Sequence, residues 1–93
     1  MEVTKVIFKK LNFFDGDIEE INAIFPNHQS TDRHGNIVYE GYAHVGQHCE
    51  LHEDFLTDGE VNGIKVETAT EEEYRELKVE LESIGYNLEV LWY

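Results

Sequence analysis

The chain has 93 residues and carries 20 Asp and Glu against 7 Lys and Arg, a formal net charge of −13 at pH 7 with His neutral. A chain of this length forms one domain, so we expect a single unit over residues 1–93. The negative field repels nucleic acids and anionic lipid surfaces, which argues against direct binding to either. A hydrophobic fraction of 41% is enough for one modest core and argues against compositional disorder.

Three features of the sequence favour a reducing, cytoplasmic setting. The first ten residues, MEVTKVIFKK, lack the basic region, apolar run and small-residue cleavage site of a secretion signal. The apolar runs are only a few residues long, which is too short to span a membrane. The single cysteine, Cys49, has no partner for an intrachain disulfide.

The first half of the chain predicts strands. Glu2–Leu11 is rich in β-branched and aromatic residues and is expected to be the first strand. Asp15-Gly16 is a turn signal. The segment Asp17–Phe25 fits either a helical stripe or one face of a strand, and the preceding Asp-Gly favours a hairpin and hence a strand. Pro26 has no N–H to donate and is expected to end that strand, with polar residues 27–36 forming a loop.

The middle of the chain predicts one clear strand and an irregular excursion. Ile37–Val45 carries apolar or aromatic residues on both faces, which suits a central strand. Gln47–Gly63 contains several strand and helix breakers, so we expect at most a short helix there. Ile64, Val66 and Thr68 then alternate in a short fourth strand.

The C-terminal segment predicts a helix and a returning strand. Thr70 and Glu73 have the spacing of a capping box, and Gly85 suits the left-handed residue that ends a helix. An apolar stripe recurs at three- and four-residue intervals, at Tyr74, Leu77, Leu81 and Ile84. Leu88, Val90 and Trp92 alternate as in a strand.

The predicted order β-β-β-β-α-β indicates an α+β fold, in which the C-terminal helix packs on one face of a small, single-layer, mostly antiparallel sheet. The other face of that sheet needs a cover. The long loops, a second copy of the chain or a partner protein are the alternatives, and the aromatic residues in strand positions make a homodimer plausible.

Four fragments, in order, carry a resemblance: KVIF at 5–8, AIFP at 23–26, YAHVGQH at 42–48 and ATEEEYRELKVELESIGYNL at 69–88. Over roughly half its length the chain resembles small proteins encoded by bacteriophages and other mobile elements. The resemblance implies an accessory gene product that acts in the cytoplasm of a bacterial host. It brings no function that can be assigned residue by residue.

A group of potential metal ligands follows the third strand: His44, His48, Cys49 and His52. Imidazole and thiolate are the ligands that zinc prefers. The group lacks the paired Cys-x2-Cys and separate His-x3-His halves of a zinc finger. Alternatively, His44 packs beside Tyr42 while His48 forms hydrogen bonds in a turn. Our leading expectation is therefore no cofactor, with a small zinc-binding module as the alternative.

Enzymatic motifs are absent from the sequence. His48 and Cys49 are adjacent, and neighbours on an extended segment point to opposite faces, so they do not form an activated thiol–imidazole pair. There is no P-loop, dinucleotide-binding glycine pattern or nucleophile elbow. We therefore expect a protein that is not an enzyme.

The acidic residues of the C-terminal helix form the candidate binding surface. Glu72, Glu76 and Glu80 are four apart and form one line along the predicted exposed side, with Glu73 beside it. Consecutive members are about 6 Å apart along the axis, similar to successive phosphates of one nucleic-acid strand. A second set of predicted contacts lies in the loops: Glu50, Glu53, Asp54, Asp58 and Glu60. The alternative is a solvated helix face with ordinary ion pairs such as Glu71–Arg75.

Together these features predict a non-catalytic inhibitor that imitates nucleic acid. Its acidic face would bind the basic channel of a host defence nuclease, either RNA-guided (an anti-CRISPR protein) or a restriction enzyme. The alternatives are the zinc-binding module and a homodimeric accessory protein that does not inhibit.

Overall fold

The computed structural model describes residues 3–13, 18–43 and 47–91. In these residues the chain forms seven strands, one α-helix and one 3-10 helix. The strands are β1 (Thr4–Phe13), β2 (Ile18–Thr31), β3 (Ile37–Ala43), β4 (Gln47–His52), β5 (Gly59–Val61), β6 (Ile64–Thr68) and β7 (Leu88–Leu91). The 3-10 helix is Glu53–Leu56, and the α-helix α1 is Glu71–Ser83. The predicted α+β class with a mostly antiparallel sheet is confirmed.

Strand β1 is the centre of the sheet. Along one edge it pairs antiparallel with β2. Along the other edge its second half pairs antiparallel with β6, and its first half pairs parallel with β7. The strand order is β4-β3-β2-β1-β6-β5, with β7 beside β1. β1 therefore has neighbours along both edges, and its residues Val6–Lys9 are almost completely buried.

Helix α1 covers one face of the sheet. Its residues Tyr74, Leu77 and Leu81 pack on a cluster that includes Val6 and Phe8 of β1. The rings of Phe8 and Tyr74 stack with centroids 4.3 Å apart. Burial of such aromatic side chains contributes most of the apolar area that a small core removes from water. The described helix is too short and too polar to cross a membrane.

Both ends of α1 have the predicted caps. The Thr70 hydroxyl accepts from the Glu73 N–H and the Glu73 carboxylate accepts from the Thr70 N–H, which confirms the capping box. At the other end the Tyr86 N–H donates to the Leu81 carbonyl and the Gly85 N–H to that of Glu82. These two bonds form a Schellman motif, and Gly85 has a positive φ of 114°. The predicted apolar stripe was wrong at Ile84, which is the cap residue and is 55% exposed.

The second face of the sheet is covered by the chain itself. The 3-10 helix contacts β1, β3 and β4. On this side Lys9 is fully buried, and its ammonium group donates to Asp58 Oδ1 at 2.8 Å and to Thr68 Oγ1 at 3.0 Å. Thr68 Oγ1 donates to the same Asp58 oxygen at 2.9 Å. The three residues fasten the segment after the 3-10 helix to β1 and β6.

Two predicted loops were wrong because strands extend into them. β2 continues past Pro26 to Thr31, so the loop is confined to residues 32–36. Ile24 pairs with Gly41 and Gln29 pairs with Tyr39, so β2 advances five residues where β3 advances only two. This irregularity accommodates a proline that has no N–H to pair.

The excursion predicted over Gln47–Gly63 contains two strands that were not predicted, whereas the short helix expected there is present as the 3-10 helix Glu53–Leu56. β4 pairs with β3 over its whole length, and β5 forms a hairpin with β6 through Asn62-Gly63. Both turn residues have positive φ, 50° and 83°, as a two-residue hairpin requires. Gly41 of β3 permits the close packing of β4, because an added Cβ would lie 3.2 Å from Cys49 Sγ and 3.1 Å from Leu51 Cδ1.

The remaining expectations concern strand ends. The first strand begins at Thr4 and continues to Phe13, whereas Glu2 lies outside the described residues. The segment 17–25, predicted as a strand, is strand from Ile18 onwards. Ile64–Thr68 is confirmed as a strand. The turn at Asp15-Gly16, the end of the third strand at His44 and Val45, and Trp92 also lie outside the described residues.

The buried Lys9 group predicts a specific dependence on Asp58. Replacing Asp58 by Ala leaves a buried ammonium group without its carboxylate, and we expect the free energy of unfolding to fall by about 1–3 kcal/mol. Urea unfolding at pH 7 measures this loss. Glu60→Ala, an exposed carboxylate two residues away, is the control and should change stability little.

Two further results check the cause. The double variant Lys9→Met/Asp58→Ala should recover most of the loss, because no buried charge remains. The hydrogen bond from Lys9 lowers the pKa of Asp58, so its stabilisation is present above about pH 4 and is lost as the pH falls below that value. The stability difference between the wild type and Asp58→Ala should therefore shrink in acid. A difference that is independent of pH would contradict this assignment.

Candidate interaction surface

The four predicted contact residues of α1 fall into two groups. Glu72 and Glu76 are exposed, whereas Glu73 and Glu80 are half-buried. The expectation that the row lies entirely on the exposed side of the helix was therefore wrong at Glu80. The reason is that the Glu80 side chain turns towards the sheet and contacts Tyr42 of β3.

Glu73 belongs to the scaffold. Besides capping the helix, it accepts from Lys10 Nζ at 2.8 Å, and its side chain is 26% exposed. The Lys10 hydrogen bond is the main cause of the lowered pKa of Glu73 and of the raised pKa of Lys10. This contact joins the first turn of α1 to β1, so the Glu73 carboxylate is less available to bind another protein.

Glu80 also holds the helix in place. Its Oε2 accepts from the hydroxyl of Tyr42 in β3 at 2.6 Å. Tyr42 is 3% exposed, so this hydrogen bond lies at the margin of the core. It fixes the orientation of the last turns of α1 relative to β3.

Acidic residues of β2 lie beside Glu76 and enlarge the acidic surface of the helix. Strand β2 begins next to α1, and a shallow cleft of about 190 Å³ lies between them, lined by Glu19, Glu20, Ile21, Glu73, Glu76 and Leu77. Glu19 is exposed and Glu20 is half-buried. We call Glu19, Glu72 and Glu76 the acidic face. Glu19 was not among the predicted contacts, because residues more than 50 positions apart meet here only through the packing of α1 on the sheet.

The second set of predicted contacts does not form one surface. Asp54, Asp58 and Glu60 line a depression of about 360 Å³ beside β5. Glu50 lies in β4 and lines a different, open cleft of about 770 Å³ together with His28, Glu40 and His48. Glu53 is exposed in the 3-10 helix. Asp58 is exposed as well, but it is the partner of the buried Lys9 and so has a structural role.

The described surface is strongly unbalanced in charge. Twelve exposed residues are acidic and four are Lys or Arg. Three cations are already paired within the chain: Lys9 with Asp58, Lys10 with Glu73 and Glu67, and Lys65 with Glu67. Exposed carboxylates therefore outnumber exposed Lys and Arg three to one in the described residues, and the surface potential is negative over much of this surface.

Strand β4 separates the predicted metal ligands that the structure describes. His48 and His52 lie opposite Tyr42 and Val38, whereas Cys49 lies opposite Gly41, so the thiol faces the other side of the sheet. Cys49 Sγ contacts Asn22 Oδ1 at 3.9 Å, and burial raises the pKa of the thiol. His44 lies outside the described residues. In the part of the chain that the structure describes, no three His, Cys, Asp or Glu residues are grouped to hold a metal ion.

The neighbours of His48 differ from those expected. Its ring packs edge-on against Tyr42, with the ring centroids 4.9 Å apart. The sequence had suggested His44 as the residue that packs beside Tyr42. Glu40 of β3 lies between two imidazoles, with His28 Nδ1 at 3.1 Å and His48 Nδ1 at 3.9 Å. These contacts join the bulged part of β2 to β3 and β4.

Comparison with known protein families, curated proteins and solved structures finds no significant match to this chain. The resemblance to bacteriophage proteins therefore stays a prediction.

The two groups of helix carboxylates predict different responses to substitution. Glu73→Ala removes both the cap and the Lys10 ion pair, and we expect it to lower the free energy of unfolding by about 1 kcal/mol relative to Glu72→Ala. Thermal or urea unfolding at pH 7 measures the difference. Equal stability of the two variants would show that the Glu73 contacts are dispensable and that its carboxylate is as available as that of Glu72.

Proposed function

We propose that this chain is a non-catalytic, acidic interaction protein that binds the basic nucleic-acid channel of another protein. More specifically, we propose that the protein is a phage or mobile-element inhibitor of a host defence nuclease, of the anti-CRISPR or anti-restriction type. The observation that carries the proposal is the excess of exposed carboxylates, twelve against four exposed Lys and Arg in the described residues.

Electrostatics support a basic partner. Lys9, Lys10 and Lys65 are paired with carboxylates of the same chain, so three of the seven Lys and Arg do little to repel a basic groove. Charge complementarity of this kind accelerates association and sets specificity more than it raises affinity. It also makes binding sensitive to salt, since the Debye length falls from about 10 Å at 0.1 M to about 3 Å at 1 M.

The arrangement of the acidic face supports mimicry of a nucleic acid backbone. Glu72 and Glu76 are one helical turn apart, about 6 Å along the axis, and Glu19 continues the negative surface onto β2. Phosphates along one strand have a comparable separation. A basic channel that follows such a backbone presents cations at a matching interval.

The scaffold beneath the acidic face favours a preorganised surface. The Tyr42–Glu80 hydrogen bond, the Lys10–Glu73 ion pair and the Phe8–Tyr74 stack all hold α1 against the sheet. A helix held in this way loses little further conformational freedom on binding, and this reduces the cost of association. Substitutions at Glu72 and Glu76 can therefore test binding without altering the fold.

The target is best sought by capture from a bacterial lysate that contains RNA-guided and restriction nucleases. Tagged protein should retain a basic nuclease at about 50 mM NaCl and release it at about 1 M NaCl, in line with the loss of electrostatic attraction. The captured enzyme is then assayed for cleavage of its DNA substrate with increasing amounts of this protein. Loss of cleavage that excess DNA restores is the result expected of a competitor.

Charge reversal tests the acidic face itself. Glu72→Lys/Glu76→Lys should weaken binding to the captured nuclease at least tenfold, about 1.4 kcal/mol. The matched control is Glu82→Lys/Glu89→Lys, which makes the same change in net charge at two other exposed positions. Titration calorimetry at 150 mM NaCl measures both.

Two outcomes would contradict the proposal. If both double variants weaken binding equally, only net charge matters and the acidic face is not the contact. If no nucleic-acid-binding protein is retained at low salt, the charge serves solubility alone.

A further inference from the structure

Strand β4 forms one end of the sheet. It pairs with β3 over six consecutive positions, Gln47–His52 against Val38–Ala43, and in the described part of the chain no strand lies beyond it. The backbone N–H and C=O groups that alternate along its outer side therefore face away from the sheet. Such a row is a template for pairing with another strand.

Apart from the charged Glu50, this edge lacks the features that usually prevent strand pairing. The sequence of β4, QHCELH, contains no Lys and no Pro, and its register with β3 has no shift that would mark a bulge. β5, at the other end of the strand order, has only three residues. An edge strand of six residues without such protection is the stronger candidate for an interface.

We propose that β4 pairs antiparallel with β4 of a second copy of this chain, with Cys49 opposite Cys49 across a two-fold axis. A second copy is the occupant because the strand is complementary to itself in this register. The pair extends the sheet, and the interface is isologous, as in most homodimers.

The pattern of backbone hydrogen bonds limits the register. In an antiparallel pair, residues directly opposite each other share the same hydrogen-bonding state. In a symmetric pair of β4 strands, therefore, odd-numbered residues face odd ones and even-numbered residues face even ones. The two-fold axis then passes through a pair of identical residues, and the central candidates are His48, Cys49 and Glu50.

Side-chain charge selects among these three registers. An axis at Glu50 places its carboxylate opposite the same carboxylate of the second copy, and like charges directly opposite are destabilising. An axis at His48 places two imidazoles together and leaves Glu50 without a β4 side chain opposite it. An axis at Cys49 places His48 opposite Glu50 on both sides, so that each imidazole can donate an N–H to a carboxylate.

The other face of β4 is compatible with the same register. Cys49 and Leu51 are both half-buried and pack over Gly41. With the axis at Cys49, Leu51 lies opposite Gln47 of the second copy. Pairing then removes further apolar surface of Leu51 and Cys49 from water, which favours association.

The dimer is expected to be weak. Five paired residues bury less area than the roughly 1,200 Å² of a stable interface, and each copy carries a charge of −13. Salt of 150 mM screens much of that repulsion beyond about 8 Å. A two-fold axis perpendicular to the sheet keeps both α1 helices on the same side, so the dimer would present two acidic faces in one direction.

Cross-linking between two different variants tests the register. Each variant has Cys49→Ser and one new cysteine, either His48→Cys or Glu50→Cys. Mixed in equal amounts at about 0.5 mM protein and oxidised in air, the two variants should form a disulfide-linked heterodimer by mass spectrometry, because a disulfide needs Cβ atoms within about 4.5 Å and diagonal neighbours are about 7–8 Å apart. In either variant alone the two cysteines are diagonal neighbours, so neither should form a disulfide above the level of a control mixture of the His48→Cys and Glu72→Cys proteins. Glu72 lies on the helix, away from β4. The mixed dimer keeps one His48–Glu50 pair intact.

Each outcome decides the proposal. Cross-linking of Glu50→Cys alone or of His48→Cys alone would overturn the Cys49 register in favour of one of the other two. Cross-linking no better than the Glu72→Cys control would overturn pairing through β4. Sedimentation equilibrium of the wild-type protein from about 10 µM to 1 mM should show reversible dimer formation, and a monomer throughout that range would also overturn it. Glu72→Lys/Glu76→Lys leaves β4 unchanged, so failure of nuclease binding and failure of dimerisation are separable.

Discussion

Strand β1 imposes the main constraint on the structure, because both of its faces are buried and both of its edges must therefore be hydrogen-bonded to other strands. Residues Val6–Lys9 are almost inaccessible to solvent, so their backbone groups require partners within the protein. β2 supplies one edge. The other edge is shared between β6 and β7, which run in opposite directions beside successive halves of β1. Helix α1 joins these two strands and therefore has to cross the face between them. The position of the acidic face follows from that crossing.

The acidic residues of this protein have two distinct roles. Asp58, Glu73 and Glu80 hold elements of the fold together through a buried lysine, a helix cap and a tyrosine hydroxyl. Glu72 and Glu76 make no comparable contribution in the structure and are exposed. A high negative charge lowers stability through self-repulsion, and Lys9 and Lys10 offset part of it by pairing with Asp58, Glu67 and Glu73. The exposed carboxylates still outnumber the exposed Lys and Arg, and this excess of negative charge is the basis of the proposed function.

The predictions from sequence were most accurate for features that depend on residues close together in the chain. The capping box, the stripe Tyr74, Leu77 and Leu81, and the glycine stop of α1 follow from spacing within one helix. Over residues 47–63 the prediction allowed for the short helix but missed β4 and β5, although Asn62-Gly63 between Val61 and Ile64 is itself a strong hairpin signal. It failed also at Pro26, because an irregular register with β3 lets the strand continue. Strand partners are not encoded locally, and glycines such as Gly41 are equally consistent with a loop and with close strand packing.

By itself the sequence determined the α+β class, the helix with its caps, and the net charge of −13, because composition and short-range periodicity do not depend on contacts between distant residues. Only the tertiary structure decided which carboxylates are available. It brought Glu19 beside Glu76 and engaged Glu73 and Glu80 in the scaffold. It also placed β4 at the end of the sheet. These outcomes depend on contacts between residues far apart in the chain, whose geometry is set by strand register and by the packing of α1 on the sheet.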